Sequence, residues 1–139
     1  MKTVLFACVH NAGRSQMAAA WLNALADPKE AQAISAGTQP GSQVHSEVLV
    51  AMQEVGIDLS LSRPQFLSEE LAWHSNLLVT MGCGDACPVV PGLEREDWPL
   101  KDPKGQSVET VREIRDEIMR RTKDLLARKG IAERPTSAT

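Results

Sequence analysis

Residues Thr3–Ala7 (TVLFA) form a short unbroken apolar run, and Cys8 follows as the first residue of the polar, glycine-containing stretch CVHNAGRS. A run this short suits a strand covered on both faces better than a buried helix. It restricts the chain to folds in which helices pack on either side of a sheet. Asn76–Met81 (NLLVTM) repeats the pattern and also ends in a glycine-containing loop. Ala33–Ala36 and a short stretch at Arg95–Trp98 are the remaining strand candidates.

Helical patterns lie between these runs. Ser15–Ala26 places Met17, Trp21, Ala24 and Leu25 on one face before Asp27-Pro28 ends it. Val44–Val55 carries the stripe Val44, Val48, Met52 and Val55, with Gly56 where a C-cap belongs. Ser68–Trp73 opens on a serine cap. Ser107–Arg128 is the longest pattern, with Val108, Val111, Ile114, Ile118 and Leu125 inward and charges outward. Strands alternating with helices imply a parallel α/β sheet, with ligands at the carboxyl ends of the strands. Cys8 and the loop holding Cys83 both fall at such ends. The 139 residues suit a single domain spanning 1–139, with residues 130–139 expected to form a flexible tail.

Composition narrows the function. A net charge of −3 argues against broad binding of nucleic acid or acidic membranes. The opening MKTVLFACV resembles a secretory signal only until His10-Asn11 interrupts it, and no stretch reaches membrane-spanning length. A cytoplasmic location is therefore expected. Three cysteines are too few for a disulfide framework; in a reducing compartment they suit catalysis, metal binding or burial. With no tyrosine and two phenylalanines, a pocket for an aromatic substrate would rest mainly on three tryptophans.

Cys8 to Arg14 has the form C-x5-R between a strand and a helix. Such a loop can turn the amides of Val9, His10, Asn11, Ala12 and Gly13 toward one centre, and the helix start adds its partial positive charge. Gly13 allows a tight turn. Arg14 offers a planar, permanently charged fork to two oxygens of a tetrahedral oxyanion. The same field favours a Cys8 thiolate aimed at the central atom. Ser15 can donate to that thiolate and Asn11 can brace the loop. His10 reads as a lining residue, since a thiolate held this way needs no base. His45 and His74 read as ordinary helix residues, and no metal site is expected from the spacing of the histidines.

Cys83 and Cys87 enclose Gly84-Asp85-Ala86. On a helix they would lie one turn apart, near disulfide range, which makes a redox pair the sharper reading. Zinc ligation and inert packing are the other two. Asp102 precedes Pro103 and, from local sequence alone, is a turn-former that is also able to act as an acid.

Taken together, CVHNAGRSQMA, SAGTQPG, VGIDLS, LLVTMGCGDACP, DWPLKDPKG and VREIRDEI resemble the arsenate reductases built on the low-molecular-weight protein tyrosine phosphatase fold, over nearly the whole chain to about residue 128. The resemblance implies a four-stranded parallel sheet flanked by helices and a thioredoxin-coupled type of enzyme. It implies that Cys8 is the nucleophile, Arg14 the oxyanion clamp, Asn11 and Ser15 supports, and Asp102 the general acid. Arsenate would form an adduct on Cys8. Cys83 and then Cys87 would carry the resulting disulfide outward to thioredoxin, or to a low-molecular-weight thiol with a glutaredoxin-like partner. No cofactor is implied, and a monomer is expected. Some members hold a cation near the loop with acidic residues; the matching positions here are Ala19 and Gln65, so no potassium site is expected. A low-molecular-weight tyrosine phosphatase is the alternative enzyme, and an oxyanion or redox sensor the alternative without catalysis.

Overall fold

The computed structural model describes residues 1–82 and 90–135, so Cys83, Cys87 and their expected pairing lie outside the described residues. The element order is β1 (Lys2–Cys8), α1 (Arg14–Leu25), β2 (Ala31–Gly37), α2 (Ser46–Gln53), α3 (Glu69–Trp73), β3 (Leu77–Thr80), β4 (Glu94–Asp97) and α4 (Val108–Arg128). The strands form one sheet in the order β2-β1-β3-β4, with every neighbouring pair parallel. This is the four-stranded parallel sheet expected from the sequence. Among the described residues no helix is long and apolar enough to cross a membrane.

β1 is central, and its period-two pattern builds two cores. Val4, Phe6 and Cys8 point into the larger one, with Met17 and Leu22 of α1, Val48 and Met52 of α2, and Ile118 and Leu125 of α4. Leu5 and Ala7 point the other way, against Ala36, Leu67, Ala72 and Leu78. Phe6 is fully buried and meets Trp98 with ring centroids 5.5 Å apart and planes tilted by 54°. Trp21 is buried as well, so two of the three tryptophans belong to the core.

The edge strand β4 (ERED) is wholly charged, which blunts its tendency to pair with another chain. Its carboxylates are held by the end of α4: Arg128 bridges Glu96 at 2.9 Å, and Lys129 pairs with Glu94. Ser107 caps α4 by accepting from the Thr110 amide, and Ser68 caps α3 by accepting from Leu71.

Two expectations change. The buried face of α1 is Met17, Ala18, Trp21 and Leu22; Ala24 is exposed and Leu25 half-buried, because the sheet lies under the i, i+4 row through Ala18 and Leu22. The tail is not free over residues 131–134. Ile131 is buried, the Ala132 carbonyl accepts from the Asp27 amide, Glu133 bridges Ala26, and the Arg134 side chain donates to the Asn23 carbonyl at 2.8 Å. These bonds fasten residues 132–134 to the end of α1 and the turn after it. A polar sequence can be held this way by backbone partners that its composition does not reveal.

Candidate active site

The strand order reverses direction between β1 and β3, so a crevice opens at their carboxyl ends. The segment from Cys8 to Ser15 fills it. Every carbonyl from Cys8 to Gly13 accepts a hydrogen bond on the outer side of this loop. The donors are the amides of Thr38, Gln39, Gly41, His45 and Met17 to Cys8, Val9, His10, Ala12 and Gly13, and Gln16 Nε2 to Asn11. These peptides are trans, so each N–H points opposite to the preceding C=O. With the carbonyls taken up outside, the amides of Val9, His10, Asn11, Ala12, Gly13 and Arg14 face inward. Amides so directed at the start of a 12-residue helix form a concavity able to receive an anion.

Close backbone approach makes this possible. A methyl group on Gly37 would lie 2.5 Å from the Val9 oxygen and 2.9 Å from the Asn11 nitrogen. A methyl group on Gly13 would lie 2.5 Å from Pro103 Cγ and 3.6 Å from His45 Cδ2. Glycine at 13 therefore brings the Asp102-Pro103 loop and His45 onto the concavity, a role beyond the tight turn read from the sequence.

Cys8 is buried at the floor, its sulfur 2.8 Å from Ser15 Oγ. Asn11 Nδ2 donates to the same oxygen at 2.7 Å. Asn11 sits at φ 51°, a left-handed conformation that asparagine tolerates better than most residues. Its Oδ1 accepts from the Gln65 amide at 2.9 Å and from Gln16 Nε2 at 3.3 Å, which fixes the orientation of the side-chain amide. His10 Nδ1 lies 3.1 Å from the Gln39 carbonyl, so the ring lines the loop and is tied outward.

Arg14 is buried, and its Nη1 donates to the Leu100 carbonyl at 3.1 Å. Its Nη2 lies 3.7 Å from Asp102 Oδ2, bringing together two residues 88 positions apart in sequence. Asp102 Oδ1 accepts from the Lys104 amide at 3.0 Å, so the turn-forming reading of this residue holds. Half of the Asp102 side chain faces solvent, beside the buried Arg14.

The described residues thus unite Cys8, the loop through Ser15, Arg14 and Asp102. Sequence reasoning did not find Gln16, Gly37 or the Leu100 carbonyl, and it named Gln65 only as a position lacking a cation-binding acid. Gln16 and Gln65 carry no periodicity signal, and a backbone carbonyl carries none at all. Ala19 and Gln65 line a pocket of about 410 Å³ with Ser35, Asp58 and Arg63. There Gln65 Nε2 donates to the Ser35 carbonyl at 2.8 Å.

A family model described as low molecular weight phosphotyrosine protein phosphatase matches residues 3–134. Arsenate reductase 2 of Staphylococcus saprophyticus is 36% identical over 126 residues, covering 88% of this chain and 94% of that protein. The thioredoxin-dependent arsenate reductase of Corynebacterium glutamicum is 38% identical with a TM-score of 0.78; the match covers 92% of this chain but 61% of that longer one. An arsenate reductase solved in the phosphate binding state is 32% identical with a TM-score of 0.77, covering 92% of this chain and 98% of that one. Matched over nearly its whole length, the chain belongs to the low molecular weight phosphotyrosine protein phosphatase family.

Proposed function

We propose that this protein is an arsenate reductase that converts arsenate to arsenite for arsenic detoxification. The observation that carries the reading is the buried Cys8 sulfur beside the Ser15 hydroxyl, at the floor of a loop whose carbonyls are all bonded outward. A tetrahedral oxyanion in that loop meets inward-facing amides, the Arg14 guanidinium and a sulfur nucleophile. Asp102, beside Arg14, is the acid that protonates the departing oxygen.

The Cys8 thiolate attacks arsenic, and one oxygen leaves as water after protonation. The Cys83 thiolate then attacks the Cys8 sulfur. The S–As bond breaks with its electron pair going to arsenic, arsenic(V) becomes arsenic(III), and arsenite departs from a Cys8–Cys83 disulfide. Cys87 attacks Cys83 and releases the Cys8 thiolate. An external dithiol supplies two electrons to the Cys83–Cys87 disulfide. The reductant is a thioredoxin-like protein, with a low-molecular-weight thiol and a glutaredoxin-like protein as the alternative. The enzyme acts as a cytoplasmic monomer, in a compartment that keeps the three thiols reduced.

A tyrosine phosphatase would use the same loop but would leave Cys83 and Cys87 without a task. Two of the three tryptophans available to grip an aromatic substrate are already buried in the core. The deciding experiment is arsenate-dependent NADPH oxidation with thioredoxin, glutaredoxin and low-molecular-weight thiol systems in parallel, with para-nitrophenyl phosphate hydrolysis as control. Turnover of arsenate with at least one reductant is expected. Phosphate-ester hydrolysis without arsenate reduction would replace this reading with the phosphatase.

A further inference from the structure

Gly82 lies two residues past β3, and the next residue in the chain is Cys83. Its φ is +87°, and a methyl group on it would lie 2.5 Å from Arg14 Nη1 and 3.2 Å from both Cζ and Nη2. The end of an arginine is normally free to swing aside. Here it is not: Nη1 is bonded to the Leu100 carbonyl, Nη2 faces Asp102, and the residue is 8% exposed. Gly56, Gly92, Gly105 and Gly130 also have positive φ, but added methyl groups there meet nothing within 4 Å. Those positions require glycine for the backbone alone. Gly82 requires it for the backbone and for the contact.

We propose that Gly82 is a positioning residue for the oxyanion clamp: its bare backbone is the wall that sets the plane of the Arg14 guanidinium over the loop. This rests on the reading of Arg14 as the group that binds the oxyanion. A wall, a carbonyl and a carboxylate then hold the guanidinium from three directions, so both N–H edges needed for bidentate binding are preset before the anion arrives. The wall is also joined by one peptide bond to the first relay cysteine.

The test compares Gly82→Ala with Gly56→Ala, whose φ of +81° imposes the same backbone strain without a contact. Both substitutions are made in the natural background and in an Arg14→Ala background. Inorganic phosphate is the probe, its dissociation constant is the main readout, and the KM for arsenate is the second. Gly82→Ala is expected to weaken phosphate binding roughly tenfold and to raise KM with it, the effect of disturbing one charge-assisted hydrogen bond. Gly56→Ala should leave binding unchanged. In the Arg14→Ala background, Gly82→Ala should change binding by less than about twofold, because coupled residues are non-additive.

Natural-level phosphate binding by Gly82→Ala, or the same loss with and without Arg14, overturns the proposal. If Gly82→Ala alone fails to fold, recovery of folding in the Arg14→Ala double variant supports it, and no recovery overturns it. A natural protein that binds phosphate but does not reduce arsenate would overturn the proposed function and leave Gly82's role standing. A natural protein that binds no phosphate would overturn both.

Discussion

Asn11 donates its side-chain amide to Ser15 Oγ at 2.7 Å, and that oxygen lies 2.8 Å from the Cys8 sulfur. The order of these contacts sets the direction of a proton. The Ser15 hydroxyl already accepts from Asn11, so its own hydrogen is available to the sulfur, where it stabilises a thiolate. Asn11 in turn is held by the Gln65 amide and by Gln16. A left-handed non-glycine residue costs on the order of 1 kcal/mol, and this set of bonds offsets the cost.

Replacing Ser15 with alanine removes the donor to sulfur but leaves Arg14 and the inward amides. We expect kcat for arsenate to fall by roughly ten- to a hundredfold, with phosphate affinity nearly unchanged. Alkylation of Cys8 by iodoacetamide at neutral pH should slow in parallel. Asn11→Ala should lose both turnover and phosphate affinity, since it frees the loop backbone as well. Equal phosphate affinities in the two variants would show that Asn11 acts only through Ser15.

Gln16 is buried, and its Nε2 faces three acceptors: the Asn11 carbonyl, Asn11 Oδ1 and the Arg63 carbonyl, at 3.1–3.3 Å. Gln16→Leu should destabilise the protein by about 1–3 kcal/mol, the cost of leaving buried acceptors without a donor. Gln16→Glu should be worse, because a carboxylate would then face acceptors only. Urea unfolding midpoints at pH 7 measure both, and a Glu variant as stable as the natural protein would contradict this account of the contact.

The sheet was legible because its signal is local: TVLFA and NLLVTM are apolar runs of strand length, and both became central strands. C-x5-R was legible for the same reason, since strand, loop and helix start are contiguous. Asp102 was not legible from its surroundings, where Asp-Pro reads as a turn; its approach to Arg14 depends on Pro103 packing over Gly13 from far along the chain. His45 was read as an ordinary helix residue, yet its amide holds the Ala12 carbonyl and its ring stands near Gly13. The docking of residues 131–134 was missed because hydrogen bonds to backbone leave no hydrophobic pattern.

The proposed relay gives each thiol a separable fate. Cys8→Ser should abolish turnover and adduct formation. Cys83→Ser should still form the adduct but release no arsenite in multiple cycles. Cys87→Ser should complete a single turnover and accumulate a Cys8–Cys83 disulfide, seen as a peptide cross-link by mass spectrometry under non-reducing conditions. Full cycling of Cys83→Ser with thioredoxin would refute the proposed order of thiols.

Acid stability should depend on Glu54, which joins α2 to α4. Its carboxylate accepts from Arg112 Nε at 2.9 Å and from Arg115 Nη1 at 3.0 Å, and Arg115 is itself buried and donates to the Ala51 carbonyl. The hydrogen bond from Arg112 is the main cause, opposed by desolvation and aided by Arg115, of a Glu54 pKa lowered from 4.5 to about 2. A carboxylate that binds its proton more weakly in the folded state stabilises that state once ionised. Its contribution is therefore complete above about pH 4.5 and lost as pH falls toward 2. Glu54→Gln should leave a protein whose urea midpoint falls less between pH 5 and pH 3 than that of the natural chain, by an amount that shrinks in 1 M NaCl because the Arg112 side of the network is exposed. α2 begins beside His45, whose amide holds the anion loop from outside, so phosphate binding in the natural protein should weaken over the same pH interval. Parallel losses of stability in the two proteins across that interval would show that the Glu54 network does not govern the acid limb.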